Sequence, residues 1–124
     1  MTESDVVAGV ASWLRANGWT VRRANHRGPG IDIEAEKNGH RWLIEAKGDA
    51  KNDRANQDLN FYGALGQIVA YRSDANAKYS IAFPDLPHYR NRWAKLPHAA
   101  RSAVDTCVFV SGTKAVSELS WPWP

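Results

Sequence analysis

A β-hairpin between residues 31 and 47 constrains the fold of this chain more than any other feature. Ile31 to Glu36 alternates strictly between apolar and acidic residues, which is typical of a strand with one buried face. Asn38-Gly39 follows, and this pair readily supplies the two left-handed residues of a tight turn. Arg41 to Lys47 then returns as the partner strand. The sheet is therefore expected to contain at least one antiparallel pair.

The remaining patterns place this hairpin in an α/β fold. Apolar residues spaced three and four apart predict helices, and short runs of β-forming residues bounded by glycine or proline predict strands. The predicted elements are helix 4–17, strand 19–24, strands 31–36 and 41–47, helix 57–72, strand 78–83, helix 89–103 interrupted at Pro97, and a last short strand 107–110. The order α-β-β-β-α-β-α-β indicates a mixed central sheet flanked by helices.

The composition indicates one ordinary globular domain over residues 1–124. Hydrophobic residues make up 44% and charged residues 23% of the sequence, which excludes disordered, collagenous and coiled-coil proteins. Cys107 is the only cysteine, so an internal disulfide and a cysteine-rich zinc site are excluded. No segment reads as a signal peptide or a membrane span, so we expect a soluble, cytoplasmic protein. The net charge of +3 permits a nucleic-acid partner without requiring one.

Three charged residues fall at the same end of the predicted hairpin. Pairing across the turn at Asn38-Gly39 places Asp32 within cross-strand reach of Glu45, and the spacing of Glu45 and Lys47 points both to one face. Two carboxylates crowded at one sheet end are costly unless a cation joins them. Oxygen ligands suit Mg²⁺ or Mn²⁺, and the carbonyl of Ala46 is a candidate further ligand. The alternative interpretation is a hairpin whose charged face only keeps the sheet solvated.

The residues around these charges resemble a known family. The runs Gly30-Ile31-Asp32-Ile33-Glu34-Ala35 and Leu43-Ile44-Glu45-Ala46-Lys47-Gly48, with the Gly66-Gln67-Ile68-Val69-Ala70-Tyr71-Arg72 stretch that follows, are similar to the signature of the PD-(D/E)XK, or restriction-endonuclease-like, nucleases. The resemblance covers roughly residues 4–84. It implies an αβββαβ core and metal-dependent hydrolysis of phosphodiester bonds, with DNA as the leading substrate.

The resemblance also implies a role for each matching residue. Asp32, Glu45 and the carbonyl of Ala46 would hold Mg²⁺ or Mn²⁺. Lys47 would orient the attacking water and offset the negative charge that develops on the scissile phosphate. Gln67 matches a glutamine that supports the lysine or the substrate in several subfamilies. Small members of the family often act as dimers on duplex DNA, so a homodimer is one arrangement that the resemblance implies.

The first helix departs from the pattern of the related resolvase-type members, which carry a glutamate inside that helix. The stretch from Val6 to Val10 contains no acidic residue. Either Glu3 reaches the site from the helix start, or the site has only two carboxylates. On its own, Glu3 is interpreted as a charge that complements the helix dipole.

Basic residues interleaved with aromatic ones suit contacts with phosphates and bases. The predicted nucleic-acid contacts are Arg22, Arg23 and Arg27 beside the hairpin, Lys51 and Arg54 after it, and Arg90, Arg92 and Lys95 in the last predicted helix. An ordinary solvated helix explains the last three equally well. Two further functions also stay open: a catalytically inactive nucleic-acid-binding module of the same fold, and a toxin-like RNase that uses the same site.

Overall fold

The structure is a computed structural model and describes residues 1–25, 27, 30–50 and 53–120, with Arg101 described by its backbone alone. Its elements are α1 (Glu3–Ala16), β1 (Thr20–Ala24), β2 (Ile33–Lys37), β3 (His40–Ala46), α2 (Arg54–Tyr71), β4 (Lys78–Pro84), α3 (Pro87–Ala94), a short 3₁₀ helix (His98–Ser102), β5 (Thr106–Val110) and β6 (Val116–Leu119). Among these helices, none is long and apolar enough to cross a membrane.

The strands form one mixed sheet in the order β1-β2-β3-β4-β5-β6. The three central strands β3, β4 and β5 run parallel, while β1, β2 and β6 join antiparallel at the two sides. In the β2–β3 hairpin Ile33 lies opposite Ile44, and Asn38 and Gly39 take φ values of 52° and 80° at the turn. The expected α/β fold with a mixed central sheet is therefore confirmed.

Helices cover both faces of this sheet. On one face α1 buries Val6, Val10 and Leu14 against a cluster that includes Ile33 and Ile44. On the other face α2 and α3 enclose the second cluster, which comprises, among others, Phe61, Ile68, Tyr79, Ile81, Phe83, Tyr89 and Trp93. Because neighbouring residues of a strand point to opposite faces, Glu45 falls on the α2 side, next to Ile81 of β4. The β3 strand thus carries an acidic side chain into the layer beneath α2.

Two predicted elements differ in the structure. The strand 107–110 is not the last, because β6 follows it and pairs antiparallel with β5. The four residues of β6 are all half-buried, so β6 shows none of the alternation between buried and exposed residues that marks a strand with one buried face. The predicted helix 89–103 ends at Ala94, since Pro97 lacks the N–H that a continuing helix needs, and a separate 3₁₀ helix begins after it.

Candidate active site

Asp32 and Glu45 lie side by side at the open end of the β2–β3 hairpin. The register that sets Ile33 opposite Ile44 brings the preceding Asp32 to Glu45. Both side chains are buried, with 5% of Asp32 and 2% of Glu45 exposed. Oδ2 of Asp32 accepts a hydrogen bond of 3.0 Å from the N–H of Ala46, which holds the carboxylate at the end of β3. The structure therefore brings together the two acids that the sequence places in reach of each other.

Glu3 supplies a third carboxylate from the first turn of α1. One oxygen each from Glu3, Asp32 and Glu45 can be chosen so that all three lie within 4.8 Å of one another. The start of α1 is held there by the loop after β3, where the Asp49 N–H donates to the carbonyl of Met1 at 2.8 Å. The structure therefore places the Glu3 carboxylate beside Asp32 and Glu45, as in the alternative in which it reaches the site from the helix start. Its role in the site stays a prediction.

The electrostatics of the cluster centre on Glu45. Burial, then a hydrogen bond to Asp32 and the charge of Asp32, raise the pKa of Glu45 to about 9, and the charge of Glu3 acts in the same direction. Lys47 opposes this rise. Oε2 of Glu45 is buried and has no hydrogen-bond partner among the residues that the structure describes. The single positive charge of Lys47 therefore cannot neutralise three carboxylates in this cluster.

Lys47 follows Glu45 on the same side of the chain. Its Nζ lies 4.0 Å from a carboxylate oxygen of Glu3. Its backbone N–H donates to the carbonyl of Ala82 at 3.0 Å, which extends the β3–β4 ladder. The helix α2 passes close by, because a Cβ added at Gly63 would lie 3.9 Å from Cε of Lys47. The ammonium group thus stands between α1 and α2 at the edge of the carboxylate cluster.

Gln67 lies one turn beyond Gly63 on α2 and is half-buried. Its Oε1 atom is buried and makes no hydrogen bond within the described part of the chain. Ala46 is fully buried between Glu45 and Lys47, and its N–H already belongs to the site through Asp32. The roles of Gln67 and of the Ala46 carbonyl stay predictions.

The arginines of β1 and the following loop lie at the hairpin side of the sheet. Arg22 pairs with Glu36 across the strands at 3.5 Å, and Arg23 donates to the carbonyl of Arg27 at 3.3 Å. The side chain of Arg27 is exposed. Lys51, also predicted as a nucleic-acid contact, lies outside the described residues.

The basic residues of α3 separate into two groups. Arg90 donates to both oxygens of Asp85 and lies over the ring of Phe109 at 4.7 Å, so its charge is used within the fold. Arg92, which also pairs with Asp58, lines a cavity together with Lys95, the residue after α3, and Arg54 of α2. The structure therefore gathers three of the eight predicted contacts at one concave surface.

Comparisons with known proteins give similarity at the level of the fold. No family model and no curated protein matches the chain. The crystal structure of an XisH family protein from Nostoc punctiforme matches with a TM-score of 0.61 and 20% identity, covering 90% of this chain and 95% of that one. The structure of an FdxN element excision controlling factor protein from Anabaena variabilis matches with a TM-score of 0.61 and 21% identity, covering 89% and 93% of the two chains. The chain thus shares its fold, over nearly its whole length, with XisH family proteins.

Proposed function

We propose that this chain is a nuclease of the PD-(D/E)XK type that hydrolyses phosphodiester bonds of DNA with Mg²⁺ or Mn²⁺. The observation that carries the proposal is the meeting of three carboxylates, from Glu3, Asp32 and Glu45, with the ammonium group of Lys47 at their edge. These residues come from α1, the approach to β2, and β3. Their convergence is what the PD-(D/E)XK signature requires of a folded site.

The residues present suit a divalent cation. Carboxylate oxygens are the ligands that Mg²⁺ and Mn²⁺ prefer, and a buried acid oxygen without a partner, Oε2 of Glu45, is satisfied when a cation occupies the cluster. Asp32, Glu45 and the carbonyl of Ala46 would hold the ion, with Glu3 as a further ligand. Without an ion, ionised carboxylates this close together repel one another, which favours an ion at this position.

The chemistry divides between the ion and the side chains of this chain. A bound divalent ion would lower the pKa of water and polarise the phosphoryl oxygen. The ammonium group of Lys47 donates hydrogen bonds that orient the attacking water and offset the charge that grows on the phosphate. Gln67 lies on α2, and its Oε1 atom, which has no partner among the described residues, supports the lysine or the substrate. Burial of Asp32 and Glu45 keeps bulk water away from the ligand oxygens.

Glu3 supports an active enzyme rather than an inactive binding module. The interior of the first helix lacks an acidic residue, and Glu3 supplies a carboxylate from the helix start instead. DNA is proposed as the substrate because of the PD-(D/E)XK resemblance, and the name of one structural neighbour, an excision controlling factor, is compatible with that choice. A toxin-like RNase would use the same site, so RNA is an outcome of the test.

A cleavage assay tests this function directly. Plasmid DNA, branched DNA and tRNA are incubated with the protein in Mg²⁺, in Mn²⁺ and in EDTA. We expect metal-dependent cleavage of DNA that falls by about a hundredfold or more in Asp32→Asn and Lys47→Ala. Glu36→Gln, which removes an exposed carboxylate of β2, is the matched control and should cleave like the parent. Equal cleavage by the parent and both site variants would overturn the assignment, and cleavage confined to tRNA would replace DNA by RNA.

A further inference from the structure

A cavity of about 520 Å³ opens between the start of α2 and the start of α3, outside the carboxylate cluster. Its walls carry an amide, cationic side chains and a small apolar patch. They comprise Arg54, Gln57, Leu86, Pro87, His88, Asn91, Arg92 and Lys95. A space of this size admits a small polar ligand or part of a larger one.

Gln57 is the feature that points to a ligand. Its side chain is 4% exposed, yet it lines the cavity and makes no hydrogen bond to any residue that the structure describes. Glutamine is mostly exposed in folded proteins, and buried amides are nearly always hydrogen-bonded. The amide atoms of Gln57 therefore open onto the cavity, where a polar group that enters from outside can pair with them.

The charge of the cavity is positive. Asp58 accepts from Nε and Nη2 of Arg92 at 2.7 and 3.1 Å and lies 2.6 Å from Nε2 of His88. These contacts hold the pKa of Asp58 below its usual range and hold both basic side chains in place. Asp58 balances Arg92, whereas neither Arg54 nor Lys95 pairs with an acid among the residues that the structure describes, so their charges are available to a ligand.

The backbone at the start of α3 adds to the positive electrostatic potential of the cavity. Within the described part of the chain no side chain caps the start of α3, and Pro87 occupies its first turn. The positive end of the helix dipole therefore faces the cavity at Leu86 and Pro87. The acid at the start of α2, Asp53, is already bonded to the N–H groups of Ala55 and Asn56.

Both walls of the cavity touch the loop that follows the candidate catalytic lysine. Asn60, one turn along α2 from Gln57, donates to the carbonyl of Gly48 at 3.2 Å. Tyr89, the neighbour of His88, donates to the same carbonyl at 2.9 Å. Gly48 follows Lys47 directly, so both helices that form the cavity also contact the loop beside the carboxylate site.

We propose that this cavity binds a phosphate group of the nucleic acid, at a position other than the bond that is cut. The proposal rests on the proposed nuclease function. The Gln57 amide donates to a phosphate oxygen, while Arg54 and Lys95 balance its charge and α3 directs its positive end to it. The phosphate is either internal to the strand or at its 5′ end, and the two sources share the same chemistry.

The first test follows the Gln57 side-chain amide by NMR of the ¹⁵N-labelled full chain in EDTA. The probes are inorganic phosphate, thymidine 5′-monophosphate, thymidine, and two oligonucleotides that differ only in a 5′-phosphate. We expect the phosphate-bearing probes to shift the Gln57 amide and thymidine to leave it in place. A stronger shift with the 5′-phosphorylated oligonucleotide assigns a strand end, and equal shifts assign an internal phosphate. An unmoved Gln57 amide with every probe, or an equal shift with thymidine, would overturn the proposal.

The second test measures oligonucleotide affinity against salt concentration, again in EDTA. Lys95→Gln and Arg54→Gln change exposed side chains, so folding should be preserved. Each should weaken binding and reduce the slope of log K against log salt by about 0.9 for duplex DNA, the value for one lost phosphate contact. Arg15→Gln, an exposed charge on α1 at the other face of the sheet, is the matched control and should change neither. Slopes equal to the parent in both cavity variants would overturn the proposal. Because no metal is present, a failed cleavage assay with intact phosphate binding would count against the nuclease alone.

Discussion

Gly48 and Glu3 are in direct backbone contact, and this contact places the third carboxylate of the candidate site. A Cβ added at residue 48 would meet the Glu3 nitrogen and stand 2.7 Å from the carbonyl carbon of Thr2. Real Cβ atoms essentially never come that close to backbone. Glu3 can therefore reach Asp32 and Glu45 only because the residue after Lys47 has no side chain.

Gly48→Ala should therefore lower both stability and cleavage. Either the start of α1 or the loop after β3 must move, and overpacking of this kind costs about 1–3 kcal/mol. Gly66→Ala is the control, because nothing lies within 4 Å of a Cβ there and alanine favours the interior of α2 by about 0.5–1 kcal/mol. Thermal unfolding and DNA cleavage are measured on both variants. A Gly48→Ala protein as active as Gly66→Ala would show that the position of Glu3 does not matter.

Glu3→Gln should weaken metal binding while the fold stays intact. The amide keeps the size of the side chain but removes one of the three carboxyl groups, each of which offers an oxygen within 4.8 Å of the others. We expect Mn²⁺ affinity, measured by calorimetry, to fall by about tenfold or more, with DNA cleavage falling in parallel. Glu36→Gln removes an equal charge from an exposed position and should leave Mn²⁺ affinity unchanged. A loss of the same size in both variants would mean that only the net charge of the protein is being measured.

The hairpin and its two acids are predictable because the information is local. Strict alternation gives the faces of the strands, and Asn38-Gly39 gives the turn, so the register that brings Asp32 to Glu45 follows from the continuous segment 31–47. The position of Glu3 cannot be predicted from neighbouring residues in the same way. It depends on contact between the chain start and Gly48, and no periodic pattern records a contact between such distant segments.

The cavity beside α3 was only partly predictable for a similar reason. The sequence identifies Arg54, Arg92 and Lys95 as basic residues but does not show that two helices bring them to one surface. Gln57 gives no signal at all, because a glutamine near a helix start is ordinarily exposed. Its burial comes from packing in the tertiary structure, where residues of α2 and α3 come together around the cavity.

The stability of the metal-free protein should fall as pH rises. The pKa of Glu45 is about 9 in the folded protein against 4.5 as its ordinary value, so the folded state binds its proton more tightly than the unfolded state. The stabilisation that the proton gives is complete below about pH 4.5 and is lost as pH rises towards 9. Glu45→Gln carries no such proton, and it should unfold at a higher temperature than the parent near pH 8 to 9.

This pH dependence is measured by thermal unfolding in EDTA from about pH 5 to pH 9. Added Mg²⁺ should raise the unfolding temperature of the parent more at alkaline pH, because the ion binds the carboxylate of Glu45 once it is ionised. Glu45→Gln should lose most of that Mg²⁺ effect. Parallel pH curves for the parent and Glu45→Gln would contradict the raised pKa.

Gln67→Leu should raise stability while lowering cleavage. The Oε1 atom of Gln67 is buried without a partner in the described structure, and an unsatisfied acceptor of this kind costs about 1–3 kcal/mol. Leucine removes that cost at similar size and also suits the interior of α2. If Gln67 supports Lys47 or the substrate, the variant should cut DNA more slowly with Mn²⁺ affinity unchanged, because the amide is not a metal ligand. Chemical unfolding, calorimetry and cleavage rates separate these effects. A variant that is more stable and cuts at the parental rate would leave Gln67 with no part in the reaction.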